Sequence, residues 1–216
     1  MSAARPLRLV VLISGSGSNL QAIIDSCAKE SSQAKVVAVI SNRDGVQGLT
    51  RAAKANIDQE VLDHSGFESR EAFDRTLAER IDSYQADLVI LAGFMRILSP
   101  DFVRHYSGRM LNIHPSLLPQ FQGLHTHRRA LEAGVSEHGA SVHFVTEELD
   151  GGPVILQAAI AVKEGDTENT LAQRVLSVEH KIYPAVIDWF AQGRIKWDTD
   201  KGILFDQQPL RDPIRW

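Results

Sequence analysis

The chain has 216 residues, 44% hydrophobic and 23% charged, proportions of one globular domain that exclude a disordered, coiled-coil or collagen-like protein. Lys and Arg total 23 against 27 Asp and Glu, and a formal charge of −4 argues against a broad nucleic-acid surface while leaving phosphorylated small molecules open. The single cysteine, Cys27, excludes an intrachain disulfide and gives a thiolate zinc site no partner ligands.

Leu7–Ile13 is apolar and β-branched, as a strand covered on both faces would be. A small-residue loop, Ser14–Asn19, follows, and Leu20, Ile23, Ile24 and Cys27 then fall at helical spacing. A second strand is predicted over Ala34–Ile40, turn chemistry at Asn42–Gly45, and a helix through about Ala55. A short strand near Gln59–Leu62, a helix over Arg70–Tyr84 and a fourth strand over Leu88–Ala92 complete a repeating β-α pattern. That alternation predicts a Rossmann-like, mostly parallel α/β sheet with helices on both faces.

The pattern changes after about residue 107. A strand over Met110–His114 ends in His-Pro, and Ser116–Gly139 reads mainly as loop with a short helix near Arg128–Glu132. Strands are predicted over Ser141–Val145 and Val154–Val162, giving a mixed sheet in this half. Thr167–Ala191 reads as a long helix, interrupted or kinked near Pro184. Ile195–Trp197 and Ile203–Phe205 suggest a hairpin, and the rest of the tail is uninformative. No run approaches the ~20 apolar residues of a membrane span. The N-terminus lacks a signal-peptide core, so a cytoplasmic protein is expected.

Three places could carry chemistry. Ser14–Asn19 lies between the first strand and first helix, at the carboxyl edge of the sheet. It reads as a phosphate cradle or as a tight turn capped by Ser18 or Asn19. The third glycine of a dinucleotide fingerprint is replaced by Leu20, and no Gly-Lys-Ser/Thr is present. Asn112 and His114 share one face of a strand, an amide donor beside an imidazole; that suits acyl transfer, or both are satisfied inside a turn. Asp150, before Gly151-Gly152, either forms a turn or orients His114. His125 and His127 suit a structural role or a substrate-loop contact better than a metal site. Cys27 falls on the apolar stripe and reads as core. Ser116–Glu137 and Glu147–Gly152 carry the prolines and glycines of moving loops.

Taken together, VVLISGSGSNLQAIID (10–25), LAGFMRILSP (91–100), LNIHPSLLP (111–119) and HGASVHFVTEELDGGPVILQ (138–157) resemble the folate-dependent glycinamide ribonucleotide formyltransferases of purine synthesis. The likeness spans about residues 7–195. It implies formyl transfer from 10-formyltetrahydrofolate to the amine of glycinamide ribonucleotide, with no metal. By this resemblance Asn112, His114 and Asp150 are catalytic. Gly17, Ser18, Asn19 and Glu179 contact glycinamide ribonucleotide. Arg70, Met95, Arg96, Ile97, Leu98, Val145 and Asp150 contact folate. It further implies one formyltransferase domain, with a phosphate-binding half over about 7–106, a catalytic and folate-binding half over about 107–195, and a tail over 196–216. The expected partners are these two small molecules, not nucleic acid or membrane, for a monomer or homodimer. The competing readings are 10-formyltetrahydrofolate hydrolase, another formyl-folate transferase, and a non-catalytic nucleotide-binding module. The length and the net charge of −4 favour the ribonucleotide enzyme.

Overall fold

The computed structural model describes residues 5–216. Its first half runs β1 (Leu7–Ile13), α1 (Ser18–Cys27), β2 (Ala34–Ser41), α2 (Gln47–Lys54), β3 (Asp58–Val61), α3 (Arg70–Ser83), β4 (Leu88–Leu91) and α4 (Pro100–His105). β5 (Met110–His114), α5 (Thr126–Glu132), β6 (Glu137–Phe144), β7 (Val154–Ala161) and α6 (Glu168–Ala191) follow. The tail forms β8 (Ile195–Asp198), β9 (Gly202–Phe205), β10 (Gln208–Pro209) and β11 (Ile214–Arg215).

The main sheet has the order β11-β7-β6-β5-β4-β1-β2-β3. From β3 across to β5 every pairing is parallel, β6 runs antiparallel to both its neighbours, and β11 is parallel to β7. This is the expected mostly parallel sheet with a mixed second half, and strands from both halves share it.

The continuous apolar run of β1 follows from burial on two faces. Leu9, Val11 and Ile13 enter one core with Leu20 and Ile23 of α1 and Val175 and Ile182 of α6. Val10 and Leu12 enter the opposite core with Phe73, Leu77 and Ile81 of α3 and Phe102 of α4. All five β1 side chains are fully buried, each worth about 1.5–3 kcal/mol of transfer free energy. Tyr183 of α6, also fully buried, places its hydroxyl 2.9 Å from the Leu91 carbonyl and 3.0 Å from that of Leu111, bridging β4 and β5.

Four segments differ from the sequence expectation. α4 is a short helix, with Ser99 as its cap and Pro100 in its first turn. β6 begins at Glu137 rather than Ser141. α6 runs unbroken through Pro184, started by a Thr167–Thr170 capping box. The packing of its buried face outweighs the amide that Pro184 cannot supply. The tail forms a small antiparallel sheet of β8, β9 and β10, containing the expected hairpin, and β11 joins the main sheet.

β1 is flanked by β2 on one side and β4 on the other, so the chain reverses its direction across the sheet between them. The loops leaving the carboxyl ends of β1 and β4 therefore diverge, and they open a crevice there.

Candidate active site

The two diverging loops are tied together at their roots. The Ser14 amide donates to the Gly93 carbonyl at 3.0 Å, and the Met95 amide donates to Ser14 Oγ at 2.8 Å. Gly17 is the residue before α1, with φ of 66°, and no side chain caps the helix. The amides of the first turn are thus left without the Ser18 or Asn19 cap that one sequence reading allowed, and they carry the positive end of the helix dipole. They border a cavity of about 220 Å³ lined by Ser14–Asn19, Ala92, Gly93 and Met95. A Cβ on Gly17 would sit 2.6 Å from Cα of Gly48, so the close approach of α2 also demands glycine here.

Glu179 of α6 reaches the same loop. It accepts a 2.6 Å hydrogen bond from Asn19 Nδ2, and both residues are buried. Burial pushes the Glu179 carboxyl up from its ordinary range, against the Asn19 hydrogen bond. Asn19 Oδ1 is buried and has no partner.

A larger cavity, about 940 Å³, adjoins this one through Gly93 and Met95. Asn112 and His114 lie on its wall two residues apart on β5, and Asp150 joins them from the loop between β6 and β7. His114 Nδ1 is 3.4 Å from Asp150 Oδ2, with His114 only 6% exposed. His114 Nε2 donates to the Phe121 carbonyl at 2.9 Å. Both ring nitrogens therefore face oxygen atoms.

Asp150 is fixed from several directions. It holds a left-handed φ of 50°, a conformation that Asp tolerates better than most residues. Its Oδ2 accepts from the Gly123 amide at 2.9 Å, and its carbonyl accepts from Gln122 Nε2 at 3.2 Å. The next turn passes so close to β6 that a Cβ on Gly152 would lie 1.8 Å from the Phe144 carbonyl oxygen. The segments 121–123 and 148–152 thus clasp each other over His114.

His143 is the site residue that the sequence did not single out. Its Nδ1 donates to the Phe144 carbonyl at 2.9 Å, so in the neutral ring Nε2 is an acceptor. Burial lowers its pKa to about 4, which keeps the ring neutral near neutral pH. Asn112 Nδ2 then donates to that Nε2 at 3.1 Å, which fixes the amide orientation and leaves a second N–H free. The signal is the cross-strand pairing of Asn112 with His143, invisible until β5 and β6 are placed side by side.

The folate candidates divide. Met95, Arg96, Ile97 and Asp150 line the larger cavity, while Leu98 and Val145 pack against the core behind its wall. Arg70 stands outside it on α3, 3.4 Å from Glu71. Met95 and Ile97 are 64% and 60% exposed, and Leu124 and Leu149 add further exposed apolar surface at the cavity mouth. His125 and His127 also line this cavity, and His127 Nδ1 lies 3.2 Å from His138 Nε2. Burial lowers the pKa of both His127 and His138, the latter to about 4. Among the described residues, no group of three or more His, Cys, Asp or Glu is placed to hold a metal ion. None of the described helices is long and apolar enough to cross a membrane. The Cys27 thiol is pushed up to about 11 by burial and by Asp188, which suits a packing residue and not a nucleophile.

A model of the formyl transferase family matches residues 7–187. The chain is 61% identical over 202 residues to phosphoribosylglycinamide formyltransferase of Escherichia coli (strain K12), covering 94% of this chain and 95% of that one. It is 49% identical over 189 residues to the trifunctional purine biosynthetic protein adenosine-3 of Homo sapiens, covering 88% of this chain and 19% of that protein. Among solved structures, the phosphoribosylglycinamide formyltransferase of Coxiella burnetii in complex with CHES aligns with a TM-score of 0.93 at 50% identity. That alignment covers 98% of this chain and all of the other.

Proposed function

Because the chain belongs to the formyl transferase family and formylates glycinamide ribonucleotide from 10-formyltetrahydrofolate in purine biosynthesis, we propose that Asn112, His114 and Asp150 carry the transfer. The observation that supports this most is their convergence on one cavity wall, with the buried His114 held against the Asp150 carboxylate. The same reading takes residues 1–216 as one formyltransferase domain, working in the cytoplasm as a monomer or homodimer.

The substrate phosphate lies on the uncapped amides of Gly17–Asn19, where the helix dipole favours an anion. Glu179 and Asn19, at the join between loop and α6, take the neighbouring polar part of the ribonucleotide. The larger cavity suits a flat, mostly apolar co-substrate, with Met95, Arg96 and Ile97 as its wall and Leu98 and Val145 packed behind them. Arg70 stands outside the cavity and is retained as a folate contact only at its outer margin.

Attack of the substrate amine on the formyl carbon forms a C–N bond and puts charge on the formyl oxygen. The free N–H of Asn112 and the protonated ring of His114 stabilise that oxygen. His114 Nε2 is engaged by the Phe121 carbonyl here, so the reacting oxygen takes that carbonyl's place and the 121–123 segment yields. Asp150 stabilises the charged ring and holds an ordered water that carries the proton from the attacking nitrogen to the leaving nitrogen. Cleavage of the C–N bond to the carrier then releases tetrahydrofolate.

Steady-state formyl transfer tests this assignment. Asn112→Ala, His114→Ala and Asp150→Ala should each lower kcat by about 10²-fold or more. Double variants should lose less than the product of the single losses, because the three act as a unit. Near wild-type turnover by His114→Ala would refute the mechanism.

A further inference from the structure

The wall segment between β4 and α4 is held at two points. At its start Ser14 Oγ accepts from the Met95 amide at 2.8 Å. At its end Asp74 Oδ2 accepts from the Ser99 amide at 2.5 Å. Asp74 sits in α3, well away from the reacting groups, and is only 2% exposed.

A charged side chain at this depth needs compensation, and its surroundings supply it unevenly. Oδ2 has the Ser99 amide, but Oδ1 has no partner. The nearby Arg96 side chain turns back onto α3, its guanidinium carbon 4.5 Å from the centre of the Phe73 ring, and its buried Nε is also without a partner. Phe73 and Asp74 are consecutive, so one turn of α3 engages both ends of the Arg96–Ser99 stretch. Burial pushes the Asp74 carboxyl up, while the Ser99 hydrogen bonds and the charges of Arg96 and Arg70 pull it down. Core packing alone does not call for an acid among Phe73, Leu77 and Ile81.

We infer that Asp74 is a positioning residue for the one-carbon donor: by fixing the Ser99 amide and lying beside Arg96, it sets the path of residues 96–98 that wall the larger cavity. This rests on the reading of that cavity as the folate site. A small displacement of a binding wall is enough to weaken a ligand that the wall itself contacts, and the phosphate loop meets this segment only at Ser14–Met95, the anchor at the opposite end from Asp74.

The test is a comparison of Michaelis constants for the two substrates. Asp74→Ala should raise KM for 10-formyltetrahydrofolate about tenfold, with KM for glycinamide ribonucleotide and kcat changed no more than about twofold. Asp74→Asn, which keeps an acceptor for the Ser99 amide, should recover most of the loss. Should Asp74→Ala fail to fold, Asp74→Ser takes its place, since its hydroxyl is too short to reach Ser99 and its smaller volume admits water. The inference is overturned if both Michaelis constants rise together, if the folate constant is unchanged, or if the asparagine variant is no better than alanine. Ile97→Glu is the control for the underlying reading. If it raises the folate constant while Asp74 variants do not, the clamp alone is wrong; if it does not, the folate wall is wrong.

Discussion

Gly15 and Gly17 lie two residues apart in one loop, yet the structure predicts opposite consequences for replacing them. Gly17 has φ of 66°, and a Cβ there would meet the Gly48 backbone at 2.6 Å. The left-handed conformation costs an L-residue about 1–2 kcal/mol, and displacing α2 adds a comparable amount. Gly17→Ala should therefore lose about 2–4 kcal/mol, a fall in Tm of about 4–16 °C for a chain of this size. Any rise in KM is then confounded with damage to the fold. A Cβ on Gly15 meets no atom within 4 Å, and Gly15 lines the small cavity at the start of α1. Gly15→Val should leave Tm nearly unchanged while obstructing an anion at the loop amides. Losing one or two charge-assisted hydrogen bonds corresponds to about 10–100-fold in KM for glycinamide ribonucleotide. Thermal unfolding combined with steady-state kinetics separates the two effects. The phosphate placement is wrong if Gly15→Val binds the ribonucleotide normally, and the packing argument is wrong if Gly17→Ala melts with the wild type.

Two further predictions concern pH and loop motion. The pKa of His143 is depressed to about 4 in the folded chain, so the unfolded chain binds more protons between pH 4 and 6.5. Its contribution is fully present above pH 6.5 and is lost as pH falls toward 4, about 3 kcal/mol in all. His143→Gln should flatten the acid limb of a stability–pH curve; superimposable curves would rule this out. Hydrogen exchange should divide the segment after β5. Residues 116–118 are pinned by Ser141 Oγ and Gln157 Nε2, which bond Ser116, Leu118 and each other, and should exchange slowly. The backbone of 123–135 and 147–152 should exchange faster and gain protection when a folate analogue and glycinamide ribonucleotide bind together; exchange in these two stretches indifferent to both ligands would count against closure.

What was legible in the sequence was local. The run Leu7–Ile13 followed by small residues specified a doubly covered strand and a loop at the sheet's carboxyl edge. The alternation of Asn112 and His114 placed both on one wall, because the side-chain period of a strand is 2. What depended on pairing between distant segments was not legible. His143 acts on Asn112 only through the register of β5 against β6. α4 is too short to show periodicity, although Ser99-Pro100 carried its start signal. The folate set split because Ile97 and Leu98 point to different environments, one to the cavity and the other to the core.

The last strand has a consequence for how the molecule behaves in a crowded solution. β11 pairs with β7 through Ile214 and Arg215, and the Trp216 amide donates to the Gln157 carbonyl at 2.9 Å. Without it, the outer side of β7 at Leu156 and Gln157 would present unpaired backbone groups, on which a strand from another copy could grow. The family match ends at residue 187, well before this strand. β11 thus covers the Leu156–Gln157 stretch of that edge, and a version cut back to the family-matched segment would keep the residues assigned to catalysis while leaving this stretch uncovered.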